Sequence, residues 1–162
     1  MFGGEIAAIP GQFVAQAGRF GGWSLYLKNG KPTYTYNFLG LKRFTITAKP
    51  VPVGKATIRY EFAYDGGGLG KGGTGILFVN GKKVAQGRIE HTQALIFSAD
   101  EGADVGEDGE TPVVENYGIP VPYTFTGKIN KITIDLKEMK AAEKAAENKL
   151  RREAALKKAL SD

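Results

Sequence analysis

The chain reads as an all-β protein, a β-sandwich or jelly roll with a C-terminal α-helix. Three observations carry this. Glycine is abundant, 23 of 162 residues, among many Tyr, Phe, Val, Ile and Thr, which describes short strands joined by tight turns. Two Asn-Gly pairs are flanked by alternating or apolar runs, the strongest short-range hairpin signal. From Lys137 onward Gly and Pro vanish and Ala, Lys, Glu, Arg and Leu take over, which are strong helix formers. The expected division is a sandwich over residues 1–136 and a charged, Ala-rich helix over 137–162.

The elements follow in order. No opening strand is evident in residues 1–12. Asn29-Gly30 suits a type I′ turn, since both central residues need positive φ. A two-residue loop sets the register, with Lys28 facing Lys31, Leu25 facing Tyr34 and Trp23 facing Tyr36. Alternation then places Trp23, Leu25, Leu27, Tyr34 and Tyr36 on one face, as the core side. Ser24, Tyr26, Thr33 and Thr35 take the other, more polar face. Phe44-Thr45-Ile46 reads as a strand. So does 56–64, where Ile58, Tyr60, Phe62 and Tyr64 alternate with polar residues. Asn80-Gly81 closes a second hairpin, and the continuous apolar run 76–79 before it predicts a strand covered on both faces. Further strands are expected at 94–98 and 128–136, the latter with Ile132, Ile134 and Leu136 on one face. In the tail, Glu147–Arg151 and Glu153–Lys157 are i,i+4 pairs, and the apolar stripe of Met139, Ala142, Ala146 and Leu150 is thin.

Composition excludes several chemistries. There is no cysteine, so disulfides, thiolate zinc sites and cysteine nucleophiles are ruled out. His91 is the sole histidine, which leaves no multi-histidine metal site. The net charge of +5 is unevenly placed: residues 137–162 contribute +3 and the rest +2, and within the rest residues 100–115 hold seven acids and no base. This is not the continuous basic face of a nucleic-acid binder. No run is long and apolar enough for a membrane span. Residues 1–16 have neither a basic start nor a compact apolar stretch. No signal peptide is expected, and a cytoplasmic location follows by default.

The glycine run over 65–73 has dinucleotide-loop spacing at Gly68, Gly70 and Gly73. The element after it reads as a strand, where a phosphate cradle needs a helix N-terminus. It is therefore expected to be a loop between strands. The acidic stretch places Asp100, Glu101, Asp104, Glu107 and Asp108 close together among glycines. Several hard oxygen ligands on a flexible loop suit calcium, although the EF-hand spacing is absent. Tyr26 and Tyr64 are the candidate exposed aromatics for stacking on a sugar.

Residues 17–32 (AGRFGGWSLYLKNGKP), 36–40 (YNFLG), 62–73 (FAYDGGGLGKGG), 97–101 (FSADE), 104–106 (DVG), 125–129 (FTGKI) and 134–135 (ID) carry a resemblance. Together they resemble the C-terminal region of long bacterial arylsulfatases, over about residues 13–136. The resemblance implies a concanavalin- or laminin-G-like sandwich that follows a catalytic domain. It also implies an accessory role: packing on that domain, shaping substrate access or holding a glycan. The formylglycine motif of sulfatases does not carry over. There is no Cys, and Ser24, Ser98 and Ser161 lack a Pro two residues later. The chain is therefore expected not to be an enzyme on its own, with a sulfatase catalytic domain or a glycan as partner. Two alternatives stand beside this: a separated part of an arylsulfatase, a sulfuric ester hydrolase completed by another chain, and a calcium-dependent lectin-like domain.

Overall fold

The computed structural model describes residues 2–7, 11–52, 54–94, 96–97, 101–109, 111–119, 122–137 and 141–160. Ten strands and a helix follow in chain order: β1 (Phe2–Ala7), β2 (Gly11–Gly18), β3 (Gly21–Lys28), β4 (Lys31–Phe38), β5 (Lys42–Thr47), β6 (Lys55–Tyr64), β7 (Gly73–Val79), β8 (Lys82–Ile89), β9 (Ala103–Val105), β10 (Ile129–Ile134) and α1 (Ala141–Ala159). They form an all-β sandwich of two five-stranded antiparallel sheets, β10-β1-β6-β7-β8 and β5-β4-β3-β2-β9.

The Asn29-Gly30 hairpin has the expected register, with Lys28 opposite Lys31, Leu25 opposite Tyr34 and Trp23 opposite Tyr36. Asn29 and Gly30 both have positive φ, 52° and 71°. The expected core face is the core. Trp23, Leu25, Leu27, Tyr34 and Tyr36 pack with Phe44 and Ile46 from the same sheet and with Ile58, Tyr60, Leu77 and Ile89 from the other. Stacked sheets lie about 10 Å apart, so each interior side chain must find its depth against a facing one. On β7 and β8, Gly75 and Gly87 are directly paired. A Cβ on Gly75 would come within 2.6 Å of Ile46 Cδ1, and one on Gly87 within 2.7 Å of Ile46 Cγ1. The two glycines form a notch that admits Ile46 from the opposite sheet.

Several expectations are corrected. The N-terminal segment does contain an opening strand: β1 lies between β6 and β10, and β2 begins at Gly11. The 76–79 run is not covered on both faces. Only Leu77 is buried, and Phe78 on the other face is half-buried beneath the Arg59 guanidinium, 4.1 Å from its ring centroid. No strand forms at the described positions of 94–98, which are 94, 96 and 97. Ile96 is exposed there, while Phe97 folds back on the core beside Tyr36. In β10 the register is unbroken from Lys131 to Ile134, so Ile132 and Ile134 do share a face, and the irregularity lies before them. The register passes from Lys131 to Ile129 against Glu5 and Ile6, so Asn130 bulges. The bulge brings Ile129 to the side of Ile132, and both pack on the core; Ile134, at the end of the strand, and Leu136, beyond it, are exposed.

The helix is present, and its described side chains are all exposed. Glu153 pairs with Lys149 rather than Lys157. The side chains of Ala142, Ala146, Glu147 and Leu150, and all of Met139, lie outside the described residues. The described residues contain no helix long and apolar enough to cross a membrane.

Candidate metal centre at the edge of the second sheet

The outer, polar face of the second sheet is not open to water. Residues 106–109, 111–119 and 122–125 cross it as a strap. Arg19 N donates to Thr111 O (3.0 Å), Arg43 Nε to Val113 O (3.1 Å) and Lys28 Nζ to Asn116 O (2.7 Å). Asn37 Nδ2 donates to Gly18 O, Arg19 O and Val113 O, linking the β2–β3 turn to the strap. Beneath the strap Tyr26, Tyr117 and Tyr123 form a second small core. Tyr26 and Tyr117 meet edge to face at 4.7 Å.

Tyr26 is therefore corrected as a candidate sugar platform: it is 3% exposed, its ring under Tyr117 and its hydroxyl bonded to Thr35 Oγ1. Alternation assigns it to the outer face rightly, but the cover comes from some ninety residues downstream. Tyr64 is exposed, as expected. Its hydroxyl donates to Gly68 O and accepts from Lys71 N, so it staples the glycine loop. That loop joins β6 to β7 and leads into a strand, as read from the sequence. Asp65 at its base pairs with Arg88, whose guanidinium holds the carboxyl below the usual range.

The acidic stretch is more ordered than a plain loop. Residues 103–105 form β9, which pairs with β2 so that Asp104 faces Ala15. Ala17 N donates to Gly102 O (2.8 Å), and Gly106 N to Phe13 O (3.1 Å). Glu101, Asp104 and Asp108 each turn a carboxylate oxygen to one point, and these atoms all lie within 4.8 Å of one another. Ala15 and Ala17, both buried, are the small side chains across from this cluster on β2. Glu101 Oε1 accepts from Thr111 N (2.7 Å); Asp108 Oδ2 accepts from Val113 N (3.1 Å) and from the Tyr117 hydroxyl. The other oxygens, Glu101 Oε2 and Asp108 Oδ1, are buried without a hydrogen-bond partner. Asp108 is fully buried. Burial pushes its carboxyl up to about 6, helped by Glu101 and Asp104 and opposed by the Tyr117 and Val113 hydrogen bonds. Asp104 is also raised, first by desolvation, then by Glu101 and Glu107.

Of the five candidate ligands, the structure brings together Glu101, Asp104 and Asp108. Glu107 is exposed and outside the cluster, and Asp100 lies outside the described residues. Three convergent carboxylates, two with buried orphan oxygens, fit a hard cation. Glu101 also lines a cleft of about 460 Å³ with Gln16, Gln93, Phe97 and Ala103. Gln16 Oε1 accepts from the Trp23 indole N–H. Sequence reasoning did not point to this cleft, because its walls come from three separate segments.

Neither protein-family models nor curated proteins give a match to this chain.

Proposed function

We propose that the chain is a non-catalytic β-sandwich module that binds calcium at Glu101, Asp104 and Asp108 and acts by contact with a carbohydrate or a protein surface. The observation that carries this is the pair of buried, unpartnered oxygens, Glu101 Oε2 and Asp108 Oδ1, in one triad. A buried carboxylate oxygen without a donor costs several kcal/mol unless a cation or a proton meets it. Ligand atoms all within 4.8 Å of one another are close enough to share one cation, and a set made of carboxylate oxygens suits calcium. The adjoining cleft, with Phe97, Gln16 and Gln93, supplies an apolar wall and amides of the kind that hold a sugar. This supports the lectin-like form of the reading.

The accessory role follows from the resemblance to the arylsulfatase C-terminal region. In that setting the partner is a sulfatase catalytic domain, on the same polypeptide or on another chain.

Terbium, a luminescent stand-in for calcium, tests the site. Tyr117 touches Asp108 and should sensitise bound terbium, with calcium competing the signal away. No sensitised emission, or emission indifferent to calcium, refutes the cation reading. Turnover of an aryl sulfate by the purified chain refutes the non-catalytic one.

A further inference from the structure

The triad sits at the root of the strap. Asp104 belongs to β9 and Glu101 to its approach, both tied to β2, while Asp108 is within the strap itself. A cation shared by the three joins strap to sheet. Without it, three carboxylates crowd together, two of them with buried oxygens that have no hydrogen-bond partner, and their mutual repulsion opposes holding the same elements together.

The surface beneath the strap is unusual for a buried one. It presents Gln12, Ser24, Thr33, Thr35 and Asn37, all buried, with Tyr26 as its large apolar member. The apolar contact that holds the strap is concentrated at Tyr26, Tyr117 and Tyr123, so the polar remainder of the face adds little hydrophobic gain to its closure. Gln12 points the same way independently. It is fully buried, and neither Nε2 nor Oε1 has a partner. Each orphaned group carries a desolvation penalty while water is kept from it and loses that penalty once the strap opens. The closed strap therefore carries a built-in opposing load at Gln12.

We infer that the cation is a latch: its occupancy holds the strap across the outer face of the second sheet, and its loss releases the strap and uncovers that face. The inference rests on the cation site proposed above and extends it to regulation of what the module exposes.

Hydrogen–deuterium exchange on the full chain, with calcium and with EGTA, tests it. Chelation should speed exchange at the Arg19, Val113 and Phe125 amides, which bond to or within the strap, by about tenfold or more. The β3–β4 ladder should be unchanged. Gln12→Leu removes the opposing load, so its strap should exchange several-fold more slowly than wild type in EGTA. Terbium luminescence on the same samples separates the two ideas. If terbium binds but strap exchange ignores chelation, or Gln12→Leu leaves it unaltered, the latch is overturned and the site stands. If terbium does not bind, the site itself fails.

Discussion

Tyr34 and Tyr60 stack face to face across the two sheets, ring centroids 3.6 Å apart and planes within 10°. Trp23 extends the stack, 6.3 Å from Tyr34. One ring comes from β4 and the other from β6, so the pair is a direct bond between the layers. Tyr60→Ala should destabilise the fold by about 3–5 kcal/mol, since a fully buried aromatic is lost from a packed interior. A double-mutant cycle with Tyr34→Ala, read by urea denaturation, should give a coupling of about 0.5–1.5 kcal/mol. Additive single costs would show that the stacking contributes nothing beyond burial.

The same pair sets an alkaline limit. Burial raises both phenols above the ordinary value of 10.0, and for Tyr34 the neighbouring Tyr60 and Tyr36 add to it. The folded state favours the neutral ring. Its contribution is complete below about pH 10 and is lost as pH rises beyond it. Absorbance titration at the phenolate band should show these tyrosines ionising only with unfolding, in one cooperative step. Independent, reversible ionisation of Tyr34 and Tyr60 near the ordinary value would contradict the burial described.

What could be read in advance follows the range of the forces involved. The Asn29-Gly30 register is legible because a two-residue turn and alternation are local. The cover over Tyr26 is not, because Tyr117 and Asn116 reach it from far along the chain. A polar face under a strap has the sequence pattern of a polar face in water. β1 is hidden by Gly3 and Gly4, which break the alternation of a chain segment that pairing on both sides nonetheless holds extended. The apolar run at 94–98 looks like a strand, yet Phe97 is drawn inward as a plug. The acidic residues were legible as a cluster. Which three converge depends on β9, whose three residues are too few to register as a strand pattern.

The notch for Ile46 gives a packing test. Gly87→Ala places a methyl 2.7 Å from Ile46 Cγ1 and should cost about 1–3 kcal/mol through overpacking. Combining it with Ile46→Ala removes the clashing atoms. The double variant should then be more stable than the sum of the two single costs implies. A sum that simply adds would place Ile46 elsewhere.

Leu39 and Gly40 form a tight turn between β4 and β5, both at positive φ, 55° and 72°. Leu41 N closes it on Phe38 O at 2.9 Å. A leucine is strained there, and Leu39 is also exposed at 42%, so its side chain gains little in return. Leu39→Asn should raise stability by about 1 kcal/mol, seen as a higher melting temperature. An unchanged or lower value would mean that Leu39 contributes packing that offsets the strain.

Asp108 gives the sharpest separation of charge from shape. Asp108→Asn keeps the size of the side chain, and its oxygen in the Oδ2 position still accepts from Val113 N and from the Tyr117 hydroxyl, while the amide nitrogen takes the place of the unpartnered Oδ1. The variant removes a buried negative charge that Glu101 and Asp104 oppose. In EDTA it should therefore be as stable as wild type or more so. Calcium should raise the melting temperature of wild type by linkage, because the ion binds the folded chain alone. The variant should lose that rise, since one of three ligands no longer carries charge. A calcium shift of the same size in both proteins would remove Asp108 from the site. A variant much less stable than wild type in EDTA would mean that the carboxylate is held for its hydrogen bonds rather than for a cation.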